Sequence, residues 1–256
     1  MPFSPSRWLA ALPVYNEVGS VNGVLDEVRH YAQNVLVVDD GSSDGTGELL
    51  AKRDDIQVVR HRENRGYGAA LTTAFQYAID HGYDVLVTLD CDGQHQPQRI
   101  PRFVEATAAA DIVSGSRYLK TFEGDDAPPA QRLFINRTIT RQINRRLGFT
   151  LTDTFCGFKA YRVDALRQLV PHITDEGYAM PLQVWVWAAA LKLSVVELAV
   201  PLIYLDLTRS FGGSLDDADI RLQHYNQILD EALRAACREG HFRVTGRKRA
   251  LCQEAR

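Results

Sequence analysis

Asp90 and Asp92 stand one residue apart, and Gln94 adds a carboxamide two residues on. Together they form a cluster of hard oxygen donors suited to Mg²⁺ or Mn²⁺. They follow Val85-Leu86-Val87-Thr88-Leu89, a mostly apolar run that reads as a strand buried on both faces of a sheet. The C-terminal end of such a strand is the edge at which open α/β sheets bind ligands. Gly93 allows the chain to turn sharply there. Asp and Gly are also ordinary turn residues, so a polar loop exit is the alternative reading of this stretch alone.

Two earlier strand ends bear on that choice. Trp8 to Leu12 runs into Pro13-Val14-Tyr15-Asn16-Glu17, and Val35 to Val38 runs into Asp39-Asp40-Gly41. With Asp90 and Asp92 these exits line one sheet edge and suggest a nucleotide site. Tyr15 can flank a base, and Asp40 can accept hydrogen bonds from base or ribose. Asp39 reads as a structural carboxylate. Carboxylates alone repel a diphosphate, so the cation must invert the local charge. Neither GxGxxG nor GxxxxGK[ST] occurs, and dinucleotide and P-loop readings therefore lack their phosphate-binding turn.

The elements that must hold these residues follow from periodicity. Val21, Val24, Leu25 and Val28 recur at helical spacing, and Asp44 or Ser43 can cap a helix carrying Leu49 and Leu50. Ile56 to Val59 is a third strand, and 112–115 a fifth after the run at 85–89. Gly66 to Ile79 is a helix with a small-residue side at Ala69, Ala70, Ala74 and Ala78, and Pro97 opens another. Strands alternating with helices predict a mainly parallel, doubly wound, Rossmann-like α/β sheet. Residues 119–131 read as a mobile loop. Arg132 to Leu147 is a helix with Leu133, Ile139, Ile143 and Leu147 inside and five arginines outside. Phe155 to Tyr161 and Val195 to Tyr204 read as strands, and 163–170, 180–191 and 216–236 as helices. The division expected is one domain over 1–237 and a basic, flexible C-terminal tail over 238–256.

The chain of 256 residues is long enough for a full core, and its net charge of −3 predicts no attraction to nucleic acid. Its four cysteines are widely spaced, which suggests neither a disulfide framework nor a zinc site and fits a reducing, cytoplasmic setting. No signal peptide is evident. The most apolar late stretch, 180–200, is interrupted by Gln183, Lys192 and Glu197, against a membrane span.

Several ordered motifs resemble glycosyltransferase family 2: Leu12-Pro13-Val14-Tyr15-Asn16-Glu17, the stretch from Val37 to Thr46, Asn64-Arg65-Gly66-Tyr67-Gly68-Ala69-Ala70, and Leu89-Asp90-Cys91-Asp92-Gly93-Gln94-His95. Ser114-Gly115-Ser116-Arg117-Tyr118 and the stretch from Asp153 to Arg162 resemble its dolichol-phosphate mannosyltransferase branch, whose acceptors are polyprenyl phosphates. The resemblance covers about Leu9 to Ser214. It implies a single GT-A nucleotide-diphospho-sugar transferase domain in which Pro13, Tyr15, Glu17, Val38 and Asp40 contact the nucleotide. It also implies metal binding by Asp90, Asp92 and Gln94, a backbone contact to the donor at Cys91, and phosphate-side charge from Arg117 and Arg209.

The expected activity is an inverting, metal-dependent transfer from a GDP- or UDP-linked sugar to a polyprenyl phosphate, on the cytoplasmic face of a membrane. The nucleotide-sugar donor and the lipid phosphate are the implied partners, and Arg132 and Arg137 are placed to meet an anionic acceptor. Asp92 and Arg117 would serve the leaving group; a hydroxyl acceptor would need a base, for which Asp153 and Asp175 are candidates. Two positions depart from the branch. Its RxxGxSK loop ends here in Leu215, without the lysine, and the acidic residue many relatives carry near 177–183 is absent, the nearest being Asp175 and Glu176. Competing readings are a non-catalytic nucleotide-sugar-binding protein and a haloacid dehalogenase-like phosphatase with Asp90 as nucleophile.

Overall fold

The computed structural model describes residues 5–205 and 211–242. Its strands are β1 (Trp8–Val14), β2 (Val35–Asp39), β3 (Gln57–Arg60), β4 (Val85–Thr88), β5 (Ile112–Ser116), β6 (Lys159–Arg162) and β7 (Val195–Ala199). They form one sheet in the order β3-β2-β1-β4-β6-β5-β7. Every pairing is parallel except those of β6, which runs antiparallel to both β4 and β5. The mainly parallel sheet expected from the alternation of elements is therefore present, with one reversed strand inserted beside β4. Chain connectivity explains the reversal: a helix over Ala130–Leu147 and the loop after it bring the chain back to the edge at which β5 ends, so β6 starts beside Ser114 and runs the other way.

The helices are α1 (Val21–Tyr31), α2 (Thr46–Leu50), α3 (Tyr67–Asp80), α4 (Ile100–Ala106), α5 (Ala130–Leu147), α6 (Val163–Leu169), α7 (Met180–Ala190) and α8 (Ala218–Arg238). Alternate strand residues serve two cores, as the two-residue period of a strand requires. Leu9 and Ala11 of β1, Leu36 and Val38 of β2 and Leu86 of β4 pack on α3 and α5 to α8. Ala10, Leu12, Val35, Val37, Val85 and Val87 face α1, α2 and α4. The small residues of α3 lie against the sheet as expected, with Ala70, Ala74 and Ala78 at most 1% exposed. In α7 nearly every side chain is buried, which explains its all-round apolar sequence.

Several expected boundaries shift. Residues 155–158 leave the sheet as a loop, so β6 starts only at Lys159, and β7 stops at Ala199 rather than Tyr204. In α5 the fully buried residues are Ile135, Asn136, Ile139, Thr140 and Ile143; Leu133 and Leu147 are half-buried at its ends. The tail does not begin at residue 238. Helix α8 runs through Arg238 and Phe242 packs into the core, 5% exposed, while 243–256 lies outside the described residues. The loop before α5 is tied down: Asp125 accepts from the Leu202 amide at 2.8 Å, and Asp126 from the Tyr204 amide at 2.7 Å. Cys91 and Cys156 are free and buried. Among the described residues no helix is long and apolar enough to cross a membrane.

Candidate active site

The exits of β1, β2 and β4 open into one cavity of about 690 Å³. Pro13, Tyr15, Glu17, Asp40, Asp90, Cys91, Asp92, Gln94 and Arg117 all line it. Val38 does not: its side chain is fully buried in the core. Arg209 lies outside the described residues. Arg137 is exposed on α5 away from the cavity, whereas Arg132, one turn earlier, lines it.

Bonds between loops hold the nucleotide-side exits together. The Asn16 amide donates to Ser42 Oγ and its side-chain oxygen accepts from the Ser43 amide, both at 2.9 Å. The Glu17 amide donates to Thr46 Oγ1, and Glu17 Oε2 accepts from Ser20 Oγ. Asp44 accepts from the amide and hydroxyl of Thr46 at the start of α2, close to the cap expected of it. Asp39 is structural, as expected. It is fully buried, accepts from the Ser42 amide and pairs with Arg60 at 3.1 Å. Asp40 is only 3% exposed and accepts from His61 Nδ1 at 2.6 Å and from the amides of Arg65 and Gly66. Its carboxylate thus fixes the loop that begins α3. At Gly66 the backbone φ is +107°, and a side chain would strike the Glu176 carbonyl, so glycine alone lets that loop close on 175–177.

Asp90 is held from two sides. Tyr67 Oη donates to Oδ1 at 2.9 Å, and His95 Nε2 lies 3.1 Å from Oδ2. Burial and the Asp90 charge raise the Tyr67 pKa well above its ordinary value, so the phenol remains a donor. Below Asp90 lies Gly157, whose missing side chain makes room for the carboxylate. Asp92 accepts from the backbone amide of Gln94 at 3.0 Å and from its Nε2 at 2.9 Å. Gln94 Oε1 accepts no hydrogen bond from the described residues. The Cys91 carbonyl accepts from Ser20 Oγ at 3.0 Å.

Among the described residues no group of three or more His, Cys, Asp or Glu side chains is placed to hold a metal ion. The oxygens of Asp90, Asp92 and Gln94 nonetheless suit Mg²⁺ or Mn²⁺. Such ions are commonly bound by one or two carboxylates, with substrate phosphate and water completing the shell. Gly157 also preserves the space in which the Asp90 carboxylate sits.

Arg117 is positioned by Asp153. Its Nε is 2.7 Å from Oδ2 and its Nη2 3.0 Å from Oδ1. Asn136 and the Phe155 amide also donate to Asp153, while Glu197 of β7 accepts from the amides of Thr152 and Asp153. Burial works against the Asp153 charge, but Arg117 and these donors prevail and bring its pKa down to about 2. The suggestion of Asp153 as a base is therefore corrected: it is fully buried, committed to Arg117, and too acidic to take a proton near neutral pH. Asp175 sits beside the cavity wall, accepting from the Gly177 amide, and burial raises its pKa.

Sequence reasoning assigned no role to Tyr67, His95 or His61, which grip Asp90 and Asp40, nor to the aromatic wall of the cavity. There Phe155, Tyr178, Tyr204, Phe211 and Tyr225 stand with Arg132 and Arg221. The motif around Tyr67 was a usable signal for its role; residues from α8, more than 120 positions beyond Asp90, carried none.

Comparison with known proteins agrees with this arrangement. Residues 10–170 match the model of glycosyl transferase family 2. The chain is 34% identical over 239 residues to undecaprenyl-phosphate mannosyltransferase of Micrococcus luteus, covering 90% of this chain and 98% of the relative. It is 32% identical to polyprenol monophosphomannose synthase of Mycolicibacterium smegmatis, covering 86% of each. A solved structure of glucosyl-3-phosphoglycerate synthase from Mycobacterium tuberculosis, in complex with Mn²⁺, UDP and glucosyl-3-phosphoglycerate, superposes with a TM-score of 0.63. Its identity is 18%, and the match covers 91% of this chain and 80% of that one. That likeness supports the GT-A fold, while the family match leaves neither a phosphatase nor a pure binding module as the reading of the acidic pair. With its strand exits, its acidic pair and the greater part of its length in agreement, the chain belongs to glycosyl transferase family 2 and is a glycosyltransferase.

Proposed function

We propose that the enzyme moves a sugar from a nucleoside-diphosphate sugar to a polyprenyl phosphate, inverting the anomeric carbon. The observation that carries this reading is a single cavity lined both by the acidic strand exits and by a group of arginine and aromatic side chains. The named activities of the two relatives, which match along most of both chains, support a lipid phosphate as acceptor.

Tyr15 would flank the base at the rim, where it is 46% exposed, and Glu17 and the Asp40 loop would bind the rest of the nucleoside. Asp90, Asp92 and Gln94 would hold Mg²⁺ or Mn²⁺, which when bound supplies positive charge to the leaving diphosphate. Arg117, kept in place by Asp153, adds a fixed positive charge near the same oxygens. The acceptor oxygen attacks C1 from the face opposite the diphosphate. As its bond to C1 forms, the C1–O bond breaks and its electron pair leaves on the nucleoside diphosphate. A phosphate oxygen is already ionised near neutral pH, so no residue has to remove a proton. That agrees with a site in which Asp153 is unavailable. Phe155, Tyr178 and Tyr225 give the acceptor end an apolar wall against water.

The test is to incubate the enzyme with a panel of nucleotide sugars, Mn²⁺ and polyprenyl phosphate, and to identify the lipid product by mass and NMR. A polyprenyl glycosyl phosphodiester with inverted configuration is expected. Retention of configuration, or transfer only to hydroxyl acceptors, would contradict the proposal.

A further inference from the structure

Two guanidiniums share the ring of Phe211 in the cavity wall. Arg221 Cζ lies 4.2 Å from the ring centroid and Arg132 Cζ 5.1 Å. All three residues line the cavity. Arg221 projects from the first turn of α8 and is only 4% exposed. Its Nη1 donates to the carbonyls of Leu215 and Asp216. Its Nε and Nη2 make no hydrogen bond to the described residues, and it forms no ion pair with a described carboxylate. The two nearest candidates have other work: Asp216 accepts from the Phe211 amide at 2.7 Å, and Asp217 caps α8 through the amides of Asp219 and Ile220.

A guanidinium so deeply buried without a carboxylate partner is costly, and the neighbouring positive charge of Arg132 adds to the cost. Burial lowers the Arg221 pKa; Tyr225 opposes it, the Arg132 charge adds to it, and Asp216 and Asp217 oppose it more weakly. An anion entering the cavity would relieve both penalties, and the Arg221 fork, with Nε and Nη2 still available, suits a phosphoryl group.

The contact with Leu215 gives this arrangement a specific meaning. Leu215 stands where the resembled branch carries a lysine, and the Arg221 guanidinium reaches that point from six residues further on. We propose that Arg221 replaces the charge missing at Leu215 and forms, with Arg132, a subsite for a phosphoryl group. Assigning that group to a substrate rests on the transferase reading above: it is either the acceptor phosphate or the donor diphosphate. The anion subsite itself does not depend on that reading.

Calorimetric titration of the full-length protein with inorganic pyrophosphate tests the subsite without any sugar transfer. Arg221→Gln keeps a donor for the Leu215 carbonyl but removes the charge, and should bind pyrophosphate roughly tenfold more weakly. Arg221→Lys should stay near the wild type, and Leu215→Lys added to Arg221→Gln should recover most of the loss. Equal pyrophosphate affinity for the wild type and a folded Arg221→Gln protein would overturn the proposal. If Arg221→Gln does not fold, Leu215→Glu sets a negative charge at the same point with Arg221 intact, and unchanged pyrophosphate affinity there would overturn it too. Parallel titrations with a short-chain polyprenyl phosphate and with nucleoside diphosphates identify the source, since the charge loss should weaken chiefly the ligand whose phosphate occupies the subsite.

Discussion

Arg117 and Asp153 meet as a two-point fork, Nε to Oδ2 at 2.7 Å and Nη2 to Oδ1 at 3.0 Å, with the carboxylate fully buried. Removing one partner from such a pair leaves the other charge uncompensated. Asp153→Asn is therefore expected to cost about 3–5 kcal/mol, seen as a lower midpoint in denaturant unfolding. The fork also has a pH signature. The folded-state pKa of Asp153 lies below its unfolded value, at about 2, so the stabilisation is complete above roughly pH 4 and lost as pH falls toward 2. Its size is on the order of 2 kcal/mol. The stability gap between wild type and Asp153→Asn should narrow across that acid window and stay constant from pH 5 to 8.

Tyr67 donates to the Asp90 oxygen that faces it, and partners of this kind tune a metal site without touching the ion. Tyr67→Phe should keep the fold and weaken Mn²⁺ binding by about 10- to 100-fold in a direct metal titration. Unaltered Mn²⁺ affinity would detach Tyr67 from the proposed metal site.

Gly157 is the floor on which the Asp90 carboxylate rests. Gly157→Ala would push that carboxylate aside, and displacements of about 1 Å near reacting groups can cost 10²-fold in rate. A loss of that order in kcat, with a melting temperature little changed from the wild type, is the expected outcome.

An ionised acceptor needs no protein base. Asp175→Asn should thus retain most of the wild-type kcat, although burial raises the pKa of Asp175 and makes it the remaining carboxylate candidate. The rate should fall below about pH 6 with the second ionisation of the acceptor phosphate. A loss of two orders of magnitude in Asp175→Asn would instead identify it as a base.

The three strand exits are legible in the sequence because each is a local pattern, an apolar run ending in Asp or in Pro-x-Tyr-x-Glu, and a parallel sheet aligns such ends. Most of the lining around Tyr15, Asp40 and Asp90 follows from that alone. The reversed strand β6 is not legible. Lys159–Arg162 has strand composition, but its place between β4 and β5 depends on how α5 returns the chain. Asp153 is misread for a related reason. A carboxylate 36 residues from Arg117 gives no hint in the sequence of the ion pair that lowers its pKa. The Val38 side chain is turned to the core, because one position of register decides which face a strand-end residue serves. Arg221 is hidden among the polar residues of an amphipathic helix until α8 is packed against the loop that carries Leu215.

The central claim is that Asp90 and Asp92 serve sugar transfer to a lipid phosphate. It is tested most directly by measuring nucleoside diphosphate released from a matched nucleotide sugar, with and without polyprenyl phosphate, before and after removal of divalent cations by EDTA. Release should require both the lipid phosphate and Mn²⁺ or Mg²⁺, and Asp92→Asn should lower it by about 10²-fold or more while the protein stays folded. Release that persists at the wild-type rate in folded Asp92→Asn, or that is indifferent to polyprenyl phosphate with every donor tried, would contradict the account.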